Sequence, residues 1–434
     1  MATVYPFRAV RYADSLDLSR VVAPPYDVIS PDFRAELAAR DPRNAIFIEL
    51  PEAEGNETRY ETAARKLAAW RQDGSLTQDS RSCFYRYRQT FTPPGSRDRL
   101  SRDGFFAAVR IEDYDRRIIL PHEKTLDKPK ADRLDLIRAT RMNISPVFGF
   151  FSDAGGAVMH ALDAATGKAA QGELARRFTD ENGIEHEVRR LDDPVANSRI
   201  VAALEPVSIY IADGHHRYGT AINYRNECRE KAGSAPQGAP WERVLMYLAP
   251  AGQMTVLAYH RMARNLPGFE WAKAKTALTG DFEITEQDDL DTALATLNSA
   301  PAEQNSFCLA VAGEPRLFVI RARNPAAIRA RLPGELHESL RKLDVTVLHE
   351  FLLSRELGID QSALAKESYL SYTPDAAKVV AEVRAGRQQL GCLLRPTLVS
   401  QVQEVSDAGQ VMPQKSTYFY PKLPTGIVFN PVAE

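Results

Sequence analysis

Val207-Ser208-Ile209-Tyr210-Ile211-Ala212-Asp213-Gly214-His215-His216-Arg217-Tyr218 is the stretch on which the reading turns. Val207 to Ile211 is a short apolar run and predicts a buried strand. Five polar residues follow, and Arg217 to Lys231 then carries Tyr218, Ala221 and Ile222 on one helical face. A strand, a polar loop and a helix in that order put helix N-terminal N–H groups where an anion can meet them. Gly214 permits a close backbone approach or a positive φ. His215, His216 and Arg217 add donors for phosphate oxygens, Arg217 as a planar fork. Asp213 has three open roles: to cap the helix, to orient a histidine, or to hold a hydroxyl or metal.

Outward from this loop, residues 98–262 read as the chemical core. Strands are expected at Phe105–Ile111, Ile118–Leu120, Val147–Phe151, Val244–Leu248 and Thr255–Tyr259, with a helix over Leu126–Met142. Residues 1–97 form an N-terminal α/β region. It has a proline-fixed turn at Ala23–Asp27, a helix start at Ser30-Pro31, a strand over Asn44–Leu50, a helix over Thr58–Trp70 and a strand over Cys83–Phe91. Residues 263–434 form a C-terminal α/β region. Helices are expected at Trp271–Leu278, Leu290–Leu297, Asp344–Leu357 and Asp375–Ala385, and a hairpin at Phe307–Val311 with Leu317–Ile320. Its tail, Met412 to Lys422, is polar, aromatic and stiffened by proline, and is a candidate to return to the site.

The chain has 434 residues, enough for two or three domains at roughly 100–200 residues each. A 44% hydrophobic share supplies a core, and a net charge of -2 gives little electrostatic footprint for nucleic acid. The four cysteines are scattered with no C-x-x-C pair, which disfavours a zinc ribbon or redox dithiol. Neither a signal peptide nor a run of ~20 apolar residues is present, so a cytoplasmic protein without membrane contact is expected. A homodimer stays open.

Leu120-Pro121-His122-Glu123-Lys124-Thr125 is the second motif. Glu123 is a candidate general base for a hydroxyl during phosphoryl transfer, and His122 can orient it or contact phosphate. Lys124, Lys128, Lys130 and Arg133 can neutralise nucleotide phosphates, with Thr125 a further candidate to bind them, although a charge run is more often a solvated face. Tyr26, Asp27 and Asn44 are candidates for substrate binding, with an Asx turn or a chain cap as the plainer alternatives. Asn143 and Ser145 are similar. Lys415, Ser416 and Thr417 can offer an ammonium and two hydroxyls to a phosphate, or simply close a sheet. His349 sits on an apolar helical pattern and reads as a core histidine. G-x-S-x-G is absent, no G-x-G-x-x-G follows a strand, and no Walker A loop occurs, which disfavours serine hydrolases, Rossmann dehydrogenases and P-loop enzymes.

Ala212 to Tyr218 resembles the signature loop of the ParB/sulfiredoxin superfamily, and its D-G-H-H-R form is similar to that of the ADP-dependent free serine kinases. Ala23 to Val28, Pro121 to Thr125, Ala212 to Tyr218 and Met412 to Lys422 together resemble the uncharacterised family "domain of unknown function ten-fifteen". The resemblance implies an α+β fold: mixed sheets, a ParB/sulfiredoxin-like nucleotide-binding core and added α/β regions. It also implies a small-molecule kinase with an alcohol acceptor, free serine among them, using ATP or ADP with Mg2+. In that reading Glu123, His122 and Asp213 are catalytic, and the residues from Gly214 to Arg217 bind phosphate. Two alternatives are a ParB-like nucleotide switch or DNA-binding protein without transferase activity, and a metal-dependent phosphohydrolase using Asp213, His215, His216 and His122.

Overall fold

The computed structural model describes residues 1–124, 127–169, 175–234, 236, 238–266, 268–355 and 369–433, with 127–129 and 168–169 described by backbone only. It is a mixed α+β structure with several sheets. The chain divides into two compact units. One comprises Met1–Pro121, Thr125–Thr255 and Tyr420–Glu434; the other comprises His122–Lys124 and Val256–Phe419.

The first unit is built on a nine-stranded sheet. Its main order is Ile119–Leu120, Ile209–Asp213, Val147–Phe151, Arg243–Pro250, Leu100–Arg110, Phe84–Phe91, Glu185–Leu191 and Arg176–Thr179, with Val4–Tyr5 on Leu100–Arg110. Apolar side chains of these strands pack against Val158, Leu162, Ile200, Leu204, Tyr218 and Ala221 from three helices to make the core. The strand Ile209–Asp213 lies parallel to Ile119–Leu120 and antiparallel to Val147–Phe151. Its register slips between Ile211 and Asp213, a bulge of the kind that re-aims a side chain at a strand end. Neighbours close over Gly149, where a Cβ would lie 2.8 Å from the Ile209 side chain and 2.9 Å from that of Leu248 and would make them shift.

The helix after the loop runs from His215 to Ala232 and ends at Gly233, whose φ of 64° closes it in the left-handed form. Ser30 caps the helix Pro31–Arg40, and its side chain accepts from Phe33 N. A capping box of Thr58 and Glu61 starts the helix Arg59–Gln72. The strand expected over Asn44–Leu50 is instead a short helix, Ile46–Glu49. Asn44 decides this locally. Its side chain accepts from Ile46 N at 2.9 Å and donates to Arg20 O at 2.7 Å and Val22 O at 3.0 Å, which turns the chain. The apolar run is too short for periodicity to separate the two outcomes.

The second unit carries a six-stranded sheet in the order Phe282–Gln287, Leu317–Ala322, Ser306–Val311, Leu390–Leu394, His260–Ala263, Leu370–Thr373. The hairpin read from the sequence is present, Ser306–Val311 pairing antiparallel with Leu317–Ala322. The helix expected from Asp344 to Leu357 is α-helical only over Asp344–Val347 and continues as a π-helical turn, Leu348–Ser354; 356 and 357 lie outside the described residues. Among the described residues, no helix is long and apolar enough to cross a membrane.

Candidate functional site

In the first unit, the bulge and the glycine set the loop. Gly214 is the N-cap of the helix His215–Ala232 at φ 89°, and as a glycine it supplies no side-chain cap. Asp213 therefore does not cap the helix, one of the roles open to it in the sequence. Its carboxylate lies between two cations instead: Oδ1 is 2.7 Å from Lys422 Nζ, and Oδ2 is 2.6 Å from Arg217 Nη2. Burial alone would raise the Asp213 carboxyl, but the charges of Lys422 and Arg217 outweigh it and hold it well below the usual carboxylate range. Arg217 also donates through Nη1 to Pro146 O, so its outer nitrogens point inward. His215 is buried and His216 half-buried. Lys422 and Arg217 flank one carboxylate at a helix N-terminus, where the dipole favours an anion, and Asp27 and Glu49 also act on Arg217.

Lys422 is the residue that sequence reasoning missed, although it ends the tail motif. Its position is built from below. Arg102, fully buried, donates to Tyr420 O at 3.1 Å and Pro421 O at 2.6 Å, and Gln89 donates to Lys422 O at 3.1 Å. The Arg102 guanidinium also stacks on Phe148, 4.3 Å from the ring centroid. The tail from 420 onward is fixed further by Thr425 against Ala23, Phe429 against Val10, and Asn430–Pro431 against Met142–Asn143.

Tyr26 lies close enough to Arg217 to feel its charge, as does the exposed Asp27. Burial pushes the Tyr26 hydroxyl up to about 12, so it stays protonated at neutral pH. Glu49, fully buried, accepts from Ser145 Oγ at 2.9 Å and Tyr26 N at 3.3 Å. Arg133 donates to Glu49 O at 2.7 Å and stacks on Tyr26 at 4.5 Å. Glu49, Arg133, Ser145 and Arg217 border a cavity of about 40 Å3, room for water rather than a metabolite. Asn44 is fully buried and committed to its backbone contacts, so it positions the chain.

In the second unit, the tail runs along the second motif. Met412 N donates to His122 O at 2.8 Å, Lys415 N donates to Glu123 Oε1 at 3.0 Å, and His122 Nε2 lies 2.9 Å from Thr417 Oγ1. His122 and Glu123 thus lie against Lys415, Ser416 and Thr417 within this unit. Ser416 is buried, its hydroxyl donating to Pro413 O, and the Lys415 ammonium stands 5.7 Å over the Tyr259 ring. Lys124 is exposed. Thr125 and the Lys128 side chain lie outside the described residues. His349 is buried against Arg261 Nε at 3.2 Å, a core histidine as read. Among the described residues, no group of three or more His, Cys, Asp or Glu side chains is placed to hold a metal ion.

The family described as "Protein of unknown function (DUF1015)" matches residues 4–346, and the chain belongs to it. No curated protein matches. A conserved hypothetical protein from Pyrococcus furiosus is a structural neighbour at 15% identity and TM-score 0.33, covering 74% of this chain and 93% of its own. A free serine kinase in complex with AMP is similar at 13% identity and TM-score 0.34, covering 75% and 89%. C-terminally truncated SbnI from Staphylococcus aureus stands at 11% identity and TM-score 0.36, covering 74% and 86%.

Proposed function

We propose that this member of the DUF1015 family is a nucleotide-dependent phosphotransferase acting on an alcohol group, with free serine as the first acceptor to test. One observation carries the reading: Asp213 is held between Lys422 and Arg217 at the N-terminus of the helix His215–Ala232. Phosphoryl transfer is catalysed mainly by placing cations and backbone N–H groups where phosphate charge develops. Gly214, the helix N-terminus, Lys422 and Arg217 are the groups of that kind here, and residues 98–262 form the ParB/sulfiredoxin-like core of the proposal.

The nucleotide is ATP or ADP. Mg2+ would accompany it and would neutralise phosphate charge. Lys422 and Arg217 supply positive charge toward the phosphates. Asp213 fixes the direction of both cations and remains ionised throughout. Glu123 takes the role of general base for the acceptor hydroxyl, and His122 that of its neighbour in the same motif.

The test is incubation of the full chain with serine and ADP or ATP labelled in the terminal phosphate. Labelled phosphoserine is expected, and it is expected to disappear with Asp213→Asn and with Glu123→Gln. Nucleotide binding without transfer to any alcohol would move the reading to a nucleotide switch. Absence of nucleotide binding overturns it.

A further inference from the structure

We propose that a polar cavity along the helix His215–Ala232, beyond its N-terminal loop, binds a small multivalent oxyanion, a phosphate or a polycarboxylate. The cavity measures about 180 Å3. Four guanidiniums line it, those of Arg110, Arg116, Arg225 and Arg229. Three carboxylates face them, Glu112, Asp113 and Glu242, which leaves one positive charge in excess.

The pairing of these groups shows what is committed. Arg225, 2% exposed, donates to Ile111 O at 3.0 Å and to Asp113 at 2.7 Å. Arg229 grips Glu242 with Nε and Nη2. Glu112, 3% exposed, takes Arg110 on one oxygen and Arg116 on the other. Arg229 Nη1 and both Nη atoms of Arg110 have no protein acceptor among the described residues. A guanidinium with unspent N–H groups in a net positive cavity is the donor set that takes an oxyanion by paired hydrogen bonds.

A solvated network of surface ion pairs is the plain alternative, and it differs in rigidity. Here the inner part of the frame, Glu112 and Arg225, is fixed before any ligand arrives, and it holds Arg110 and Arg116, which are 41% and 58% exposed. Tyr218, fully buried, donates its hydroxyl to Glu112 O at 2.8 Å and accepts from Glu112 N at 2.9 Å. Arg225 is anchored by a backbone carbonyl. Preorganised donors lower the cost of ordering on binding. Charge also decides the ligand class, because a neutral molecule gains nothing from the excess cation.

The experiment is calorimetric titration of the full chain with inorganic phosphate, pyrophosphate and citrate at low ionic strength. Saturable binding of at least one of them is expected, and the tighter class identifies phosphate or carboxylate as the source. Arg229→Gln removes a fork and is expected to weaken that binding about tenfold, the scale of one charge-assisted contact. Glu242→Gln frees the Arg229 fork, adds a second positive charge and is expected to tighten it about fivefold or more. An improvement of that sign cannot arise from misfolding. Because Lys422 belongs to the Asp213 corner, the same pair, with and without Glu242→Gln, is also titrated in the Lys422→Met background, where the tightening by Glu242→Gln is expected to persist. Absence of saturable binding, failure of Glu242→Gln to tighten it, or loss of that tightening in the Lys422→Met background would each overturn the proposal.

Discussion

Lys422 Nζ stands 2.7 Å from Asp213 Oδ1, a contact between residues 209 positions apart in the chain. Asp213 is thereby held by two cations, Lys422 and Arg217, and its carboxyl is depressed. The sign of the pH effect follows. A carboxyl whose folded pKa lies below its unfolded value, about 3.9, adds stability that is fully present above that value. This stability is lost as the pH falls through the folded pKa. The melting temperature of Asp213→Asn is expected to lie below wild type by a constant gap above pH ~5, and the gap is expected to narrow below pH ~4. Thermal melts from pH 2.5 to 7 read this directly.

Gly214→Ala is expected to cost about 1–2 kcal/mol, because φ at 214 is 89° and a Cβ would stand 2.9 Å from Arg217 Nε. Arg217 would have to shift from Asp213 to make room. Denaturant unfolding measures the cost, and a stability equal to wild type contradicts the strained-glycine account.

Arg102 is fully buried, burial lowers its pKa, and no carboxylate pairs with it among the described residues. Its work is to satisfy the carbonyls of Tyr420 and Pro421. Arg102→Met keeps the volume and leaves those carbonyls unpaired, a penalty of about 1–3 kcal/mol for each buried group. Hydrogen exchange at residues 420–425 is expected to quicken well ahead of exchange in the strand Phe84–Phe91. Equal protection in both segments would show that the tail is held by other means.

In the second unit, burial and then the neighbouring Arg261 push His349 down to about 3, and burial with Arg261 pushes His260 down to about 4. Both stay neutral in the folded state below the ordinary value near 6.5. The unfolded chain takes up the protons first, so their contribution to stability is intact above pH ~6.5. It falls by up to about 1.4 kcal/mol per pH unit for each histidine as the pH drops toward the folded values. His349→Gln is expected to flatten that slope between pH 6 and 4. An unchanged slope would mean the histidine is protonated in the fold.

The strand, loop and helix at Val207–Lys231 were legible because an apolar run met a polar cluster and then a helical face. The hairpin at Phe307 and the caps at Ser30 and Thr58 were legible for similar local reasons. What escaped depends on distant partners. Asn44 looked like a residue before a strand, and only the carbonyls of Arg20 and Val22 show why the chain turns there. Lys422 was visible as the end of a stiff tail, but no spacing in the sequence connects it with Asp213. The bulge after Ile211, which aims Asp213, is a property of pairing with Val147–Phe151 and leaves no local mark.

The central claim is that the Asp213 corner holds nucleotide phosphates. Calorimetric titration of ADP and ATP into wild type and Lys422→Met, with folding of both checked by circular dichroism, tests it most directly. Micromolar binding to wild type, weakened about tenfold or more by Lys422→Met, is the predicted result, since one charge-assisted phosphate contact contributes about 1.5–3 kcal/mol. No binding to wild type, or equal affinity in the two proteins, would contradict it.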